Sequence, residues 1–257
     1  MLSPNIFNVI FVFPIVNLLV AFYNVFLFLH IPGALGFAII LLTVLVRALL
    51  HPFFKQQLET SKKMQDIKPH IDKLQKKHKD DPKKLQQEQM RIYKEAGINP
   101  AAGCLFMIIQ LPIFFALYNT LNLFLTSNTT QVINSVNKIL YMSALKIHTI
   151  DPWFFGINLA LSPAKTNNLF YLIIPVVTGL LQYFQVKYST PGMTSTPTKE
   201  GEKDSTGDFQ KAMNTQMKFI FPLMIGWFSY TLPVGLSLYW NIFSIFSIIQ
   251  YRSMINK

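Results

Sequence analysis

The chain has 257 residues, 51% hydrophobic and only 14% charged, with a formal net charge of +11. A soluble domain carries about a quarter charged residues. Here no Asp or Glu precedes Glu59 and none falls within a long apolar run, the profile of a multi-span membrane protein rather than a soluble enzyme.

The first apolar stretch, Ile6 to Leu29 within residues 1–35, is uncharged. Its length permits a span, but Asn8, Asn17 and Asn24 interrupt it and Pro14 breaks it. It reads either as a span or as an amphipathic helix lying in the external interface. The N-terminus lacks a basic region, a small-residue cleavage site and a lipoprotein-type Cys, so no cleaved targeting segment is expected. The second stretch, Gly36 to Phe54, is a candidate span (36–54) containing one charge, Arg47. A guanidinium there stays protonated. Arg47 lies about two turns before the end marked by Pro52 and Lys55, close enough to snorkel.

Residues 55–100 are different. Leu58, Met64, Ile67, Ile71 and Leu74 recur at roughly helical spacing, "DDPKK" interrupts, and Leu85, Ile92 and Tyr93 mark a second, thinner stripe. Pro82 suits the first turn of a new helix and Gly97 a C-terminal cap. The spacing predicts a polar helical hairpin whose stripe is too narrow for a globular core.

Residues 101–125 form the next candidate span, with Gly103, Cys104, Gln110 and Pro112 in it. A loop (126–168) leads to a span at 169–188 containing Gln182 and Gln185. The Ser/Thr/Gly/Pro-rich segment 189–217 reads as a flexible loop. Residues 218–252 hold two apolar runs, Phe219 to Leu232 and Leu236 to Ile249, joined by the turn Pro233 to Gly235. The tail is 253–257. Twelve Lys or Arg lie between Lys55 and Lys94, so the positive-inside rule places the hairpin and C-terminus in the cytoplasm and 126–168 outside.

Intramembrane charge is a functional signal by default. No acid exists in any span to pair with Arg47. Water, lipid phosphate, carbonyls or amide side chains must then solvate it, and Gln110, Gln182 and Gln185 are available amides, which suggests a hydrophilic groove. Enzyme readings are weak: His30, His51, His70, His78 and His148 lack ligand spacing, and no nucleophile, zinc or phosphate-loop motif is present. The lone Cys104 gives neither a disulfide nor a metal site, and no cofactor is expected. A small-solute transporter or channel is the competing class, followed by a passive assembly scaffold. No internal repeat or intramembrane acid supports a coupled transporter.

Three segments, "LTVLVRALLHPFFKQQLETSKKMQDIKPHIDKLQKKH", "INPAAGCLFMIIQLPIFFALYNTL" and "FPLMIGWFSYTLPVGLSLYWNIFSIFSIIQ", resemble the YidC/Oxa1/Alb3 membrane protein insertases. The resemblance covers most of Gly36 to Arg252 in the family's order. It implies an all-α, five-span bundle with a cytoplasmic helical hairpin, preceded by an external interfacial helix, which raises the interfacial reading of Ile6 to Leu29. It implies a groove open to the cytoplasm in which Arg47 attracts acidic residues of a substrate tail, with Gln110, Gln182, Gln185 and Trp240 as lining. Gly103 and Pro112 are expected to shape their span. The implied partners are nascent membrane proteins, the lipid bilayer, the ribosome and a Sec-type translocon, with no nucleic-acid recognition. The absence of a large external domain and the short tail point to a compact bacterial plasma-membrane version without enzymatic activity.

Overall fold

A computed structural model of the chain describes residues 3–78, 81–98, 102–125, 129–189 and 216–255, with backbone alone at 82, 102–110, 129, 189, 216–217 and 254–255. The loop expected at 189–217 therefore lies almost wholly outside the described residues. Among the described residues the fold is mainly helical, with one small two-stranded hairpin.

Helix α1 (Phe13–Phe28) is opened by a π-helical turn, Asn8–Val12. Pro14 was expected to break this stretch and does not. It sits in the first turn of α1, and the carbonyl it would strike four residues earlier belongs to Ile10, inside the wider π turn. The same device recurs at Gln216–Ile220, which precedes Pro222 in the first turn of α8 (Phe221–Thr231).

Helix α2 (Ala34–Leu49) follows a short turn. It ends earlier than the apolar run that continues to Phe54, because Pro52 opens the next helix, α3 (His51–Lys77). The two helices share only Leu50 between them and are bent by 66°. Helix α4 (Pro82–Glu95) returns along α3, with Leu58 and Ile71 of α3 and Leu85 of α4 buried. Asp81 caps α4, accepting from the Lys84 N–H at 3.0 Å. At its far end the Ile98 N–H donates to the Tyr93 carbonyl and the Gly97 N–H to that of Lys94. Gly97 adopts φ +64° there, as a left-handed cap requires. The two-armed hairpin is thus as its spacing predicts. Its described ion pairs, Lys55–Glu59, Arg91–Glu88 and Arg91–Glu95, are local and exposed, so they add little stability.

Helix α5 (Ala102–Phe124), α7 (Leu169–Ser189), α8 and α9 (Val234–Ile255) complete the bundle. The core joins Val16, Leu19 and Tyr23 of α1 to Leu35, Ile39 and Leu42 of α2, Leu117 and Leu121 of α5, and Leu236 of α9. Helix α7 packs on α8 and α9. Its crossing with α8 is close because Gly179 faces Gly226; a Cβ on Gly226 would lie 3.4 Å from the Pro175 carbonyl. The outer faces of α7 and α8 carry exposed Leu172, Ile173, Val176, Leu180, Leu223 and Trp227, as lipid contact demands.

Among the described residues, three helices are long and apolar enough to cross a membrane: Asn8–Phe28, Leu169–Tyr188 and Val234–Ser253. The α2–α3 pair qualifies only as a broken unit. The protein is an all-α membrane protein.

The described part of the loop, 129–168, carries structure of its own. It holds α6 (Thr129–Asn137) and strands β1 (Trp153–Phe154) and β2 (Ile157–Asn158), paired antiparallel. The asparagines of α1 hold it down. Asn17 donates to the Ile139 carbonyl at 3.1 Å and accepts from the Tyr141 N–H at 2.7 Å. Asn24 donates to the Leu145 carbonyl, and the Tyr23 hydroxyl bridges Thr149 and Asp151. Phe154 presses on the first turn of α2, where a Cβ on Gly36 would overlap its ring. Backbone bonds from Val234 and Gly235 to Leu161 and Leu159 tie the loop to the α8–α9 turn.

Candidate functional site

Helix α2 carries two landmarks eleven residues apart, hence about 17 Å along its axis. Gly36 meets the loop at one end; Arg47 lies in the last turn at the hairpin end. Arg47 is 3% exposed. Thr43, one turn earlier on the same face, satisfies its own hydroxyl by donating to Ile39 and leaves the guanidinium to other partners.

Those partners are aromatic. The 66° bend carries Phe54, in the first turn of α3, back over Arg47, with Cζ 4.1 Å from the ring centroid. Phe243 of α9 supplies the second ring at 3.8 Å. The two rings stand edge to face, 6.4 Å apart at 77°. Arg47 Nη2 donates to the Phe243 carbonyl at 3.1 Å, an acceptor shared with the Ser247 hydroxyl. Nε is buried and meets no acceptor among the described residues. A small pocket borders the group, lined also by Val46 and Leu50 of α2, Ile113 and Leu117 of α5, and Tyr239 of α9.

An arginine in a span costs roughly 2.5–3.5 kcal/mol on insertion scales. A desolvated cation–π contact returns about 2 kcal/mol, and a hydrogen bond from a charged donor about 1.5–3 kcal/mol. Two ring contacts and one hydrogen bond therefore offset the cost of the charge, with the buried Nε left unused among the described residues.

The residues expected beside Arg47 do not all gather there. Gln182 and Gln185 of α7 lie at the α7–α9 contact, where the Ser244 hydroxyl meets Gln185 Oε1 at 2.7 Å and Gln182 Oε1 at 3.4 Å. Gln182 is buried, but neither amide lines the Arg47 pocket. Trp240 is buried and stacks on Phe114 at 6.2 Å, also outside that pocket. The described side chains that line the Arg47 pocket are therefore mostly apolar. The reason is geometric: α7 is separated from α2 by α9, which packs on both. Pro112 is half-buried inside α5. Gly103 and Gln110 lie on α5 where side chains are outside the described residues.

Phe54, Phe243 and Tyr239 escaped the sequence reading. The available signal was Phe54, seven residues after Arg47 across a proline break. A second polar feature also emerged. The Ser229 hydroxyl pairs with Thr178 at 3.2 Å and Ser237 at 2.7 Å, a buried chain linking α7, α8 and α9. Near the hairpin root, His51 Nδ1 lies 2.8 Å from Gln250 Nε2. No group of three or more metal-ligating side chains occurs among the described residues.

Comparison with known proteins places this arrangement in a lineage. The family model described as 60Kd inner membrane protein matches residues 26–257. The membrane protein insertase YidC of Oceanobacillus iheyensis is 33% identical over 259 residues, 99% of this chain and 85% of that protein. The YidC of Wolinella succinogenes is 33% identical over 225 residues, 88% of this chain and 34% of that protein. The inner membrane protein ALBINO3 of Arabidopsis thaliana chloroplasts is 34% identical over 217 residues, 82% of this chain and 44% of that protein. The chain spans under half the length of the chloroplast relatives ALBINO3, ALBINO3-like protein 2 and PPF-1. The chain belongs to the 60Kd inner membrane protein family, the YidC/Oxa1/Alb3 group.

Proposed function

We propose that this protein is a membrane protein insertase and chaperone of a bacterial plasma membrane, acting without covalent chemistry. Its substrates are nascent membrane proteins, and the ribosome and a Sec-type translocon are candidate partners at the hairpin. The carrying observation is Arg47: a buried cation with an unused donor and no acidic partner in any span. Two relatives that bear the name membrane protein insertase support the reading. In the proposed cycle Arg47 draws an acidic substrate tail into the bundle from the cytoplasmic side. A fixed cation in low dielectric lowers the desolvation cost of that tail. Burial of the substrate's apolar segment in lipid then supplies the drive, so no nucleotide is required.

The orientation belongs to the same proposal. The twelve Lys or Arg of Lys55 to Lys94 favour a cytoplasmic hairpin. The Arg47 end of α2 then faces the cytoplasm and the loop 126–168 faces out. Helix α1 lies in the outer interface on this reading: Asn17, near the middle of the continuous helical run Asn8–Phe28, holds loop backbone on both its amide atoms. A spanning α1 would force that loop into the hydrocarbon, where unpaired backbone is costly.

The test is insertion of a small single-span protein into vesicles containing the purified chain. Insertion above that of empty vesicles is expected. Insertion no better than empty vesicles, with solute flux in its place, would overturn the proposal in favour of a transporter.

A further inference from the structure

Arg47 is buried. The rings of Phe54 and Phe243 lean on its guanidinium from two sides, with Cζ 4.1 and 3.8 Å from their centroids and the ring planes 77° apart. Nε and Nη2 form the side edge that a carboxylate grips with two hydrogen bonds. Here Nη2 is occupied by the Phe243 carbonyl and Nε by nothing among the described residues. An incoming carboxylate cannot use this edge until the rings part.

The two rings differ in how they are held. Phe243 sits within the long helix α9, which packs on α2, α5 and α7. Phe54 sits in the first turn of α3, beyond the 66° bend, on a helix whose 27 residues extend for about 40 Å. That helix touches the bundle near its root, through α2 and α5 and through the His51–Gln250 hydrogen bond to α9, and packs on α4 beyond. Leu50 (φ −88°, ψ 5°) is the only residue between α2 and α3. Pro52 supplies no N–H across the join, so the helical ladder is already incomplete there. A small rotation about Leu50 moves Phe54 while Phe243 stays.

We propose that Phe54 and Phe243 are positioning residues that close the Arg47 site, and that a swing of the hairpin about Leu50 opens it by withdrawing Phe54. This rests on the insertase reading and deepens it: whatever loads the hairpin tip is coupled to exposure of the cation. An acidic peptide segment is the ligand the opened edge fits.

The experiment uses the full chain in vesicles, with Cys104→Ala and cysteines at Phe54→Cys and Phe243→Cys. A short reducible bis-maleimide pins α3 to α9. The linked protein is expected to lose at least tenfold in insertion rate and to regain it when the linker is cleaved. Insertion by the linked protein at the unlinked rate overturns the lid. A second measurement covers failure of the double variant itself. Thr43→Cys lines the pocket and is labelled with a membrane-impermeant maleimide. Phe54→Ala should raise labelling severalfold, and Phe54→Tyr should restore the parent rate. Equal labelling in all three also overturns the lid. The wild-type chain separates the two ideas: if it fails to insert, the insertase reading falls, whereas insertion unaffected by the linker removes only the lid.

Discussion

Arg47 is the one ionised side chain within α2, and its surroundings decide what it can do. Phenyl faces and one carbonyl compensate the cation without neutralising it. Lysine would keep the charge and the cation–π contacts but lose the planar fork. Arg47→Ala is therefore expected to lower insertion of an acidic-tailed substrate at least tenfold, while Arg47→Lys keeps a large part of it, read as initial rates in vesicles. Equal rates for Ala and wild type would leave Arg47 an anchor. Arg47 was legible in the sequence because a charge in an apolar run stands out. Its aromatic partners were not, since the chain has 23 Phe and only the bend at Leu50 and the course of α9 select two of them. Gln182 and Gln185 were plausible partners by polarity alone; α9 lies between them and Arg47 and takes up their oxygens through Ser244.

At the scale of elements, the polar residues of α1 have a structural use that sequence spacing does not reveal. Asn17, Tyr23 and Asn24 each bind loop backbone more than 120 positions away. A periodicity argument sees only an apolar run interrupted by amides. Asn17→Leu would remove its bonds to the Tyr141 N–H and the Ile139 carbonyl, at about 0.5–1.5 kcal/mol each. The expected outcome is a lower Tm in detergent and faster proteolysis within 138–151; an unchanged Tm and cleavage pattern would contradict the clamp. The contact of Gly36 with Phe154 gives a paired test. Gly36→Ala should destabilise by about 1–3 kcal/mol through overpacking, and adding Phe154→Ala should recover part of that loss. If the two losses simply add, the contact is not what constrains Gly36. Pro14 reads in the sequence as a break and Pro52 as the end of an apolar run, yet both sit in first turns, where they start helices.

For the whole molecule, α2 separates two unlike ends. One is fastened by loop backbone bonds and Phe154; the other holds a cation beneath an aromatic pair next to a hinge. The apolar stretches and the polar hairpin were readable as elements because hydrophobic runs and helical stripes are local signals. Their arrangement around α9 was not, because it depends on contacts such as Gly179 with Gly226 that join distant segments. The proposed orientation has its own check. Single cysteines at Lys73 and Lys146, labelled by an impermeant maleimide from either side of sealed vesicles, should react from opposite faces. Reaction of both from one face would invalidate the orientation.

On the proposed mechanism Arg47 serves an acidic segment of the passing substrate. Matched single-span substrates whose tails carry from none to three Asp residues, inserted by wild type and by Arg47→Ala, test this. The advantage of wild type is expected to grow with each acid and to vanish for the uncharged tail. An advantage that is the same for every tail would contradict it.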